Sequence, residues 1–222
     1  MSSVPVPKAF EQLHRRLADP DLAARGHVSS PLAAAARASV LIMLSDIEHP
    51  DITFTERAAN LRTHPGQVAF PGGGRDSSDR GPVDTALREA QEEIGLDPAV
   101  VHVMGRLPEA SVPVSSFAVV PVVGWWDGQY PVAPVDPGEV ASLHRWTIDE
   151  LVDPQRRVSF RFGPGPGRTG PAWQFDDLFL WGFTAKLVDW VLKLGDWEQP
   201  WDASRVVNVP ERFGKDRPRQ MH

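Results

Sequence analysis

Apolar positions recur along this chain at two spacings, and each spacing predicts a kind of element. In "AFEQLHRRLA" (9–18), Phe10, Leu13 and Leu17 stand three and four residues apart, the period of a helix with one buried face. "ASVLIML" (38–44) is an apolar run too short for a helix and reads as a buried strand. "GQVAFPGGG" (66–74) reads as a strand running into a glycine-rich loop, and "PVDTALREAQEEI" (82–94) as a helix. "SFAVVPVVGWW" (116–126) is a further strand closed near Asp127-Gly128, and a proline-rich connection, "YPVAPVDPGE", leads into "VASLHRWTIDEL". "RRVSFRF" and "AWQFDDLFLW" flank "GPGPGRTGP" and predict a hairpin with an exposed tip. "FTAKLVDWVLKL" (183–194) sets Phe183, Leu187, Val191 and Leu194 at helical spacing. The segment 50–64 is polar and partly basic, and the proline-punctuated tail after Gly195 is expected to be loosely ordered. Mixed strands and helices point to an α/β or α+β domain.

The helix at 82–94 carries the chemistry. At 100° per residue, Val83, Leu87, Ala90 and Ile94 fall within about 60° of one another, whereas Glu89, Glu92 and Glu93 fall on the opposite side across about 100°. Pro82 suits the first turn, and Gly95 suits a left-handed residue just past the end, with Leu96 as its apolar contact. Crowded glutamates repel one another. A solvated face would tolerate that repulsion, but here the helix follows Gly72-Gly73-Gly74, whose backbone can approach a ligand. Arg88, four residues before Glu92, can orient a carboxylate. Carboxylates beside exposed carbonyls make an oxygen-only site, which a hard cation such as Mg²⁺ prefers.

Composition narrows the function classes. The 222 residues suit one domain with extensions. A formal charge of −6 argues against a general nucleic-acid binder. The absence of cysteine excludes disulfides, thiolate metal sites and cysteine nucleophiles. No apolar run approaches ~18 residues and the start lacks an apolar signal core, so no membrane span and a cytoplasmic location are expected. The tryptophans at 125, 126, 173, 181, 190 and 197 read as core or interface rather than as a base-stacking platform.

"GGGRDSSDRGPVDTALREAQEEIGL" resembles the Nudix box, G-x5-E-x7-R-E-U-x-E-E-x-G-U, with U a bulky aliphatic residue. Arg88, Glu89, Glu92, Glu93, Gly95 and Leu96 stand in place, and Ala90 is a small substitute. The first half departs: strict register puts Arg80 where the early glutamate belongs, and one extra residue puts Asp79 there. Upstream, "TFTERAANLRTHPGQVAFPGGGRD" is similar to the accessory motif of coenzyme A-type Nudix hydrolases, L-L-T-x-R-S-A followed by R-x3-G-x3-F-P-G-G. Thr55, Arg57 and Ala59 match its first part; Arg62, Gly66, Phe70, Pro71, Gly72 and Gly73 match the second; Thr53, Phe54 and Ala58 depart. Asp76 and Asp79 match the D-x-x-D pattern of the same subfamily, and "WGFTA" (181–185) resembles its C-terminal region.

The resemblance implies a Nudix fold, a mixed sheet in an α/β/α sandwich, over residues 36–195, between a lead-in at 1–35 and a tail at 196–222. It implies hydrolysis of the coenzyme A pyrophosphate to 4′-phosphopantetheine and adenosine 3′,5′-bisphosphate, with Mg²⁺ or Mn²⁺ as cofactor. Other Nudix substrates, such as ADP-ribose or a dinucleotide, form the alternative, and a non-catalytic nucleotide sensor a more distant one. Glu89 and Glu93, an i, i+4 pair, are expected as metal ligands, with Glu92 a ligand or an orienting group. Glu139 is the first candidate for general base and Glu109 the second. Arg57 and Arg62 suit phosphate recognition, with Gly72 and Gly73 offering backbone groups to the substrate. A homodimer is the default form for any assembly.

Overall fold

The computed structural model describes residues 5–25, 37–45, 48–112, 117–164 and 167–214. Helix α1 (Glu11–Leu17) and the short α2 (Pro20–Arg25) come first. Eight strands among the described residues form one sheet: β1 (Arg37–Ser45), β2 (Asp51–Arg57), β3 (Val68–Ala69), β4 (Gly72–Gly74), β5 (His102–Arg106), β6 (Ala110–Val112), β7 (Phe117–Trp125) and β8 (Val140–Thr147). Helix α3 (Pro82–Ile94) lies between β4 and β5, and α4 (Ile148–Val152) follows β8. A second sheet contains β9 (Arg157–Phe162), β10 (Arg168–Phe175), β11 (Leu178–Leu180) and β12 (Val206–Asn208); α5 (Gly182–Leu194) and α6 (Glu211–Gly214) complete the chain.

β1 is the axis of the large sheet. It runs parallel to β7, with Val40 opposite Pro121, and antiparallel to β2, with Met43 opposite Thr53. β1 and β2 then part, and the β3–β4 chain enters the gap. Ala69 pairs with Thr55 of β2, whereas Gly72 pairs with Val40 of β1. The Leu41 N–H donates to the Pro71 carbonyl at 2.8 Å, which fixes the crossing point. The glycine run is therefore a short strand set into the sheet rather than the free loop expected from its composition.

Apolar alternation along β1 sends alternate residues to opposite faces. Leu41 and Met43 meet Ala86, Ala90 and Ile94 of α3, together with Leu96, Val122 and Trp126. Ile42 and Leu44 meet Phe10, Leu13 and Leu17 of α1 and Leu187, Val188 and Val191 of α5. The sheet thus lies between α3 and the α1/α5 layer, the α/β/α arrangement expected. Among the described residues no helix is long and apolar enough to cross a membrane.

The polar segment after residue 50 is mostly β2, with Asp51, Thr53 and Thr55 buried. Burial is tolerated because Asp51 accepts from Ser45 Oγ and Arg145, both at 2.5 Å. The tail departs from expectation through position 214. β12 pairs in parallel with β9, Trp201 stacks on buried Arg157 with 4.5 Å between guanidinium and ring, and Phe213 is buried. The predicted hairpin forms, with Arg168 opposite Phe162, and the tryptophans at 125, 126 and 173 are core.

Candidate active site

The site is assembled where α3 crosses the inset glycine strand. Helix α3 starts at Pro82 and ends with Gly95 at φ 69°, the left-handed conformation that glycine adopts without a Cβ clash. Between these ends the three glutamates have graded environments. Glu93 is 7% exposed, the Glu89 side chain 17% and the Glu92 side chain 59%. The helical wheel grouped them, but the sheet and the connection after β7 cover only one edge of that group. Val135 N–H donates to the Glu93 carbonyl and Ala133 N–H to that of Ile94, at 3.0 and 3.1 Å, so this connection closes over the end of α3.

Two carboxylates rest on consecutive glycines. Glu93 Oε2 accepts the Gly72 N–H at 3.2 Å. The Glu89 carboxylate lies over Gly73, where a Cβ would come within 2.5 Å of Oε2. A Cβ on Gly72 would overlap the Ser39 carbonyl oxygen and stand 2.6 Å from Val40 Cα. Glycine is required at both positions for different reasons: Gly72 by the backbone of β1, Gly73 by a functional side chain.

Arg88 organises the exposed side. Its Nη1 donates to Glu89 Oε1 at 3.0 Å and to Glu92 Oε2 at 2.8 Å; its Nη2 donates to the Gly74 carbonyl at 2.9 Å. The guanidinium also forks onto Asp79, with Nε to Oδ1 at 3.1 Å and Nη2 to Oδ2 at 3.0 Å. Asp79 is buried and takes further bonds from Thr85 Oγ1 at 2.9 Å and the Asp76 N–H at 2.8 Å. Hydrogen bonding from Arg88 holds its carboxyl well below the usual range. Asp79 therefore stands behind Arg88, whereas Arg80 is exposed and pairs with Asp84 at 2.6 Å. The box accommodates one extra residue, and a shorter acid braces the arginine. The spacing alone gives Asp79 no partner; Thr85, six residues on, is brought to it only by the fold.

Burial pushes the Glu93 carboxyl up to about 8; the Gly72 N–H and the charge of Arg57 oppose the shift, and the charges of Glu139 and Glu89 add to it. Burial likewise raises Glu89, despite Arg88, and Glu92 and Glu139 add to that shift. Glu139, on the loop before β8, thus acts on both buried carboxylates. Its backbone carbonyl accepts the Ala58 N–H at 2.9 Å, which ties it to the end of β2 beside Arg57. Arg57 is half-buried, with its Nε enclosed and without a hydrogen-bond partner among the described residues.

The other predicted residues separate. Arg62 is exposed on the loop between β2 and β3. Glu109 lines a small cavity with Arg37, Arg75 and Thr85, at the opening turns of α3, away from Glu93.

Among the described residues no three acidic or histidine side chains already converge as a closed ion cage. Arg88 accounts for this by drawing Glu89 and Glu92 toward itself. The donor set nevertheless fits a hard divalent cation: Glu89, Glu93 and Glu139 are mutually repelling carboxylates, and Glu93 is largely desolvated with a single N–H to offset its charge.

Comparison of the sequence with known proteins identifies its family. A family model described as the NUDIX domain matches residues 35–163. A protein described as "Uncharacterized Nudix hydrolase NudL" from Pectobacterium atrosepticum is 38% identical over 160 residues, covering 68% of this chain and 79% of the relative. A protein of the same description from Enterobacter sp. is 37% identical over 166 residues, with the same coverage. Among solved structures, a NUDIX hydrolase from Nitrosomonas europaea superposes with a TM-score of 0.48 at 14% identity, covering 79% of this chain and 80% of that one.

Proposed function

The chain belongs to the Nudix hydrolase family, and from that membership we propose that it hydrolyses the pyrophosphate of coenzyme A or its derivatives. The products are 4′-phosphopantetheine and adenosine 3′,5′-bisphosphate. The observation that carries this reading is the placement of the accessory segment. Arg57, from the part similar to the coenzyme A-type motif, bears electrostatically on Glu93, while Gly72 and Gly73 of the same motif underlie Glu93 and Glu89.

On this reading Glu89 and Glu93 hold Mg²⁺ or Mn²⁺, with Glu92 at the exposed margin. A divalent cation bound there supplies charge neutralisation at the phosphates and acidifies coordinated water. Arg57 receives a phosphate oxygen through its guanidinium. Glu139 accepts the proton of the attacking water, since it is exposed and its charge bears on both Glu89 and Glu93. Arg88, braced by Asp79, keeps Glu89 and Glu92 from swinging into solvent.

The test is to incubate the protein with coenzyme A and Mg²⁺ in ¹⁸O-labelled water and identify both products by mass spectrometry. The expected result is the two phosphates named above, with label in only one of them. Equal or better turnover of ADP-ribose or a dinucleotide would remove coenzyme A from first place. Binding of nucleotide without cleavage over hours would favour a sensor instead.

A further inference from the structure

Arg57 stands where β2 gives way to the loop that leads to β3, and that loop has little packing of its own. Of residues 58–67 only Ala58 is buried. The ladder also stops short of Arg57: β3 pairs with Thr55 and Glu56, and the β2–β8 register shifts between Glu56 and Arg57. Beyond that point Arg57 is tied to the far end of its own loop. Its N–H donates to the Gln67 carbonyl, and the Gly66 N–H donates to the Arg57 carbonyl, both at 3.0 Å. The next residue, Ala58, donates its N–H to the Glu139 carbonyl at 2.9 Å. Where Arg57 sits, and what its neighbour offers Glu139, therefore depends on what holds Gly66 and Gln67.

The end of the described chain holds them. Gln67 Nε2 donates to the Phe213 carbonyl at 2.7 Å, across 146 residues of sequence. The Phe213 ring lies over Gly66, where a Cβ would stand 3.7 Å from it. A helix of four residues has no stability alone, so α6 must itself be fixed. Val209 N–H donates to the Arg161 carbonyl at 3.0 Å, and β12 runs beside β9 up to that point. Phe213, 4% exposed, packs with Val158, Phe160, Ala172 and Phe179 of the second sheet. For stability alone, the ring in this cluster would be enough. The amide bond and the seat on Gly66 add a grip on a loop that would otherwise open at low cost.

We propose that α6 is a positioning element of the active site: Phe213, through Gly66 and Gln67, holds Arg57 where it receives the substrate phosphate. The inference rests on the hydrolase reading for its purpose. Phe213 and Gln67 touch no reacting atom in it; they set the fraction of molecules whose loop is ready to bind.

The test compares Phe213→Ala and Gln67→Leu in the full chain, with Leu13→Ala, in the α1 core, as a destabilised control. Gln67→Leu leaves the ring in its cluster, so the proposal stays testable if Phe213→Ala folds poorly. Hydrogen exchange, in EDTA and without substrate, should show the amides of Arg57 and Gly66 exchanging about 10-fold faster in both variants relative to those of β1. Leu13→Ala should show no such selective change. With coenzyme A and Mg²⁺, KM should rise about 10-fold in both variants, because an ordered fraction of about a tenth weakens apparent affinity by that factor. Saturating substrate draws the loop into its ordered form, so kcat should stay within about twofold. Phe213→Leu, which keeps an apolar plug, should recover part of the KM. Exchange unchanged in both variants overturns the proposal. So does faster exchange with KM unaltered, or an equal rise of KM in Leu13→Ala. Faster exchange in a protein whose wild type cleaves neither coenzyme A, ADP-ribose nor a dinucleotide would overturn the hydrolase reading and leave the anchoring of the loop in place.

Discussion

Replacing Glu93 by glutamine should stabilise the protein while disabling it. The wild-type carboxyl titrates near 8 in the fold against 4.5 for an ordinary glutamate. A raised carboxyl value means that the charged form is disfavoured by folding. Below pH 4.5 the group is neutral in both states and imposes no penalty. As pH rises from 4.5 toward 8, the unfolded chain ionises and the folded chain resists, so stability falls across that window and levels off above it. Each pH unit within it costs about 1.4 kcal/mol, which amounts to roughly 1 kcal/mol at pH 5, 3 at pH 7 and 4 at pH 8. Glutamine avoids the penalty and can still accept the Gly72 N–H. At about 2–4 °C per kcal/mol for a chain of this size, Tm in EDTA should rise by about 6–12 °C at pH 7. The gain should shrink to a few degrees at pH 5. Turnover should drop at least about 100-fold, the scale seen when a metal site loses a ligand or its support. Adding Mg²⁺ should raise the wild-type Tm and leave the variant nearly unmoved. Thermal melts at pH 5, 7 and 8, with and without Mg²⁺, measure all of this. A Tm gain independent of pH, or full activity in the variant, would refute the reasoning.

Other outcomes follow from the same geometry. Protonation of Glu93 competes with metal binding, so the apparent Mg²⁺ affinity from activity titrations should fall about tenfold per unit as pH drops below 8. Asp79→Asn removes the acid behind Arg88 and should lower kcat about 10- to 100-fold, with Asp79→Glu restoring part of it. Gly73→Ala should fold, because the Glu89 side chain can move, yet lose activity for that reason; Gly72→Ala meets the backbone of β1 and should lose about 1–3 kcal/mol in denaturant titrations. Arg157→Ala breaks a buried pair with Asp189 and the stack on Trp201, and should cost about 3–5 kcal/mol in the same measurement.

Local signals were readable in the sequence wherever local physics decides the outcome. Pro82 and Gly95 delimit α3 because helix ends are set by backbone donors and by φ, which single residues control. The runs that became β1 and β7 were readable because both their faces are covered, so nearly every residue is apolar. β2 is not legible because two of its buried polar positions, Asp51 and Thr55, find partners on other strands: Asp51 reads as surface until Arg145, ninety-four residues later, is set beside it. The ordered tail was missed for a related reason. Trp201 and Phe213 follow no period, and the surfaces they cover, Arg157 and the end of the β2–β3 loop, are distant in sequence.

The chain's order of residues was enough to establish the family, the glutamate helix and the neighbouring glycines, since these lie within one short segment whose spacing reports its own geometry. Which glutamate is buried and which acid braces Arg88 came only from the folded molecule. Glu93 differs from Glu92 by one turn angle on the helix, but by the presence of a sheet and a strap on one side. Electrostatics and solvation depend on what surrounds a group in space, and neighbours in space are chosen by packing across the whole domain.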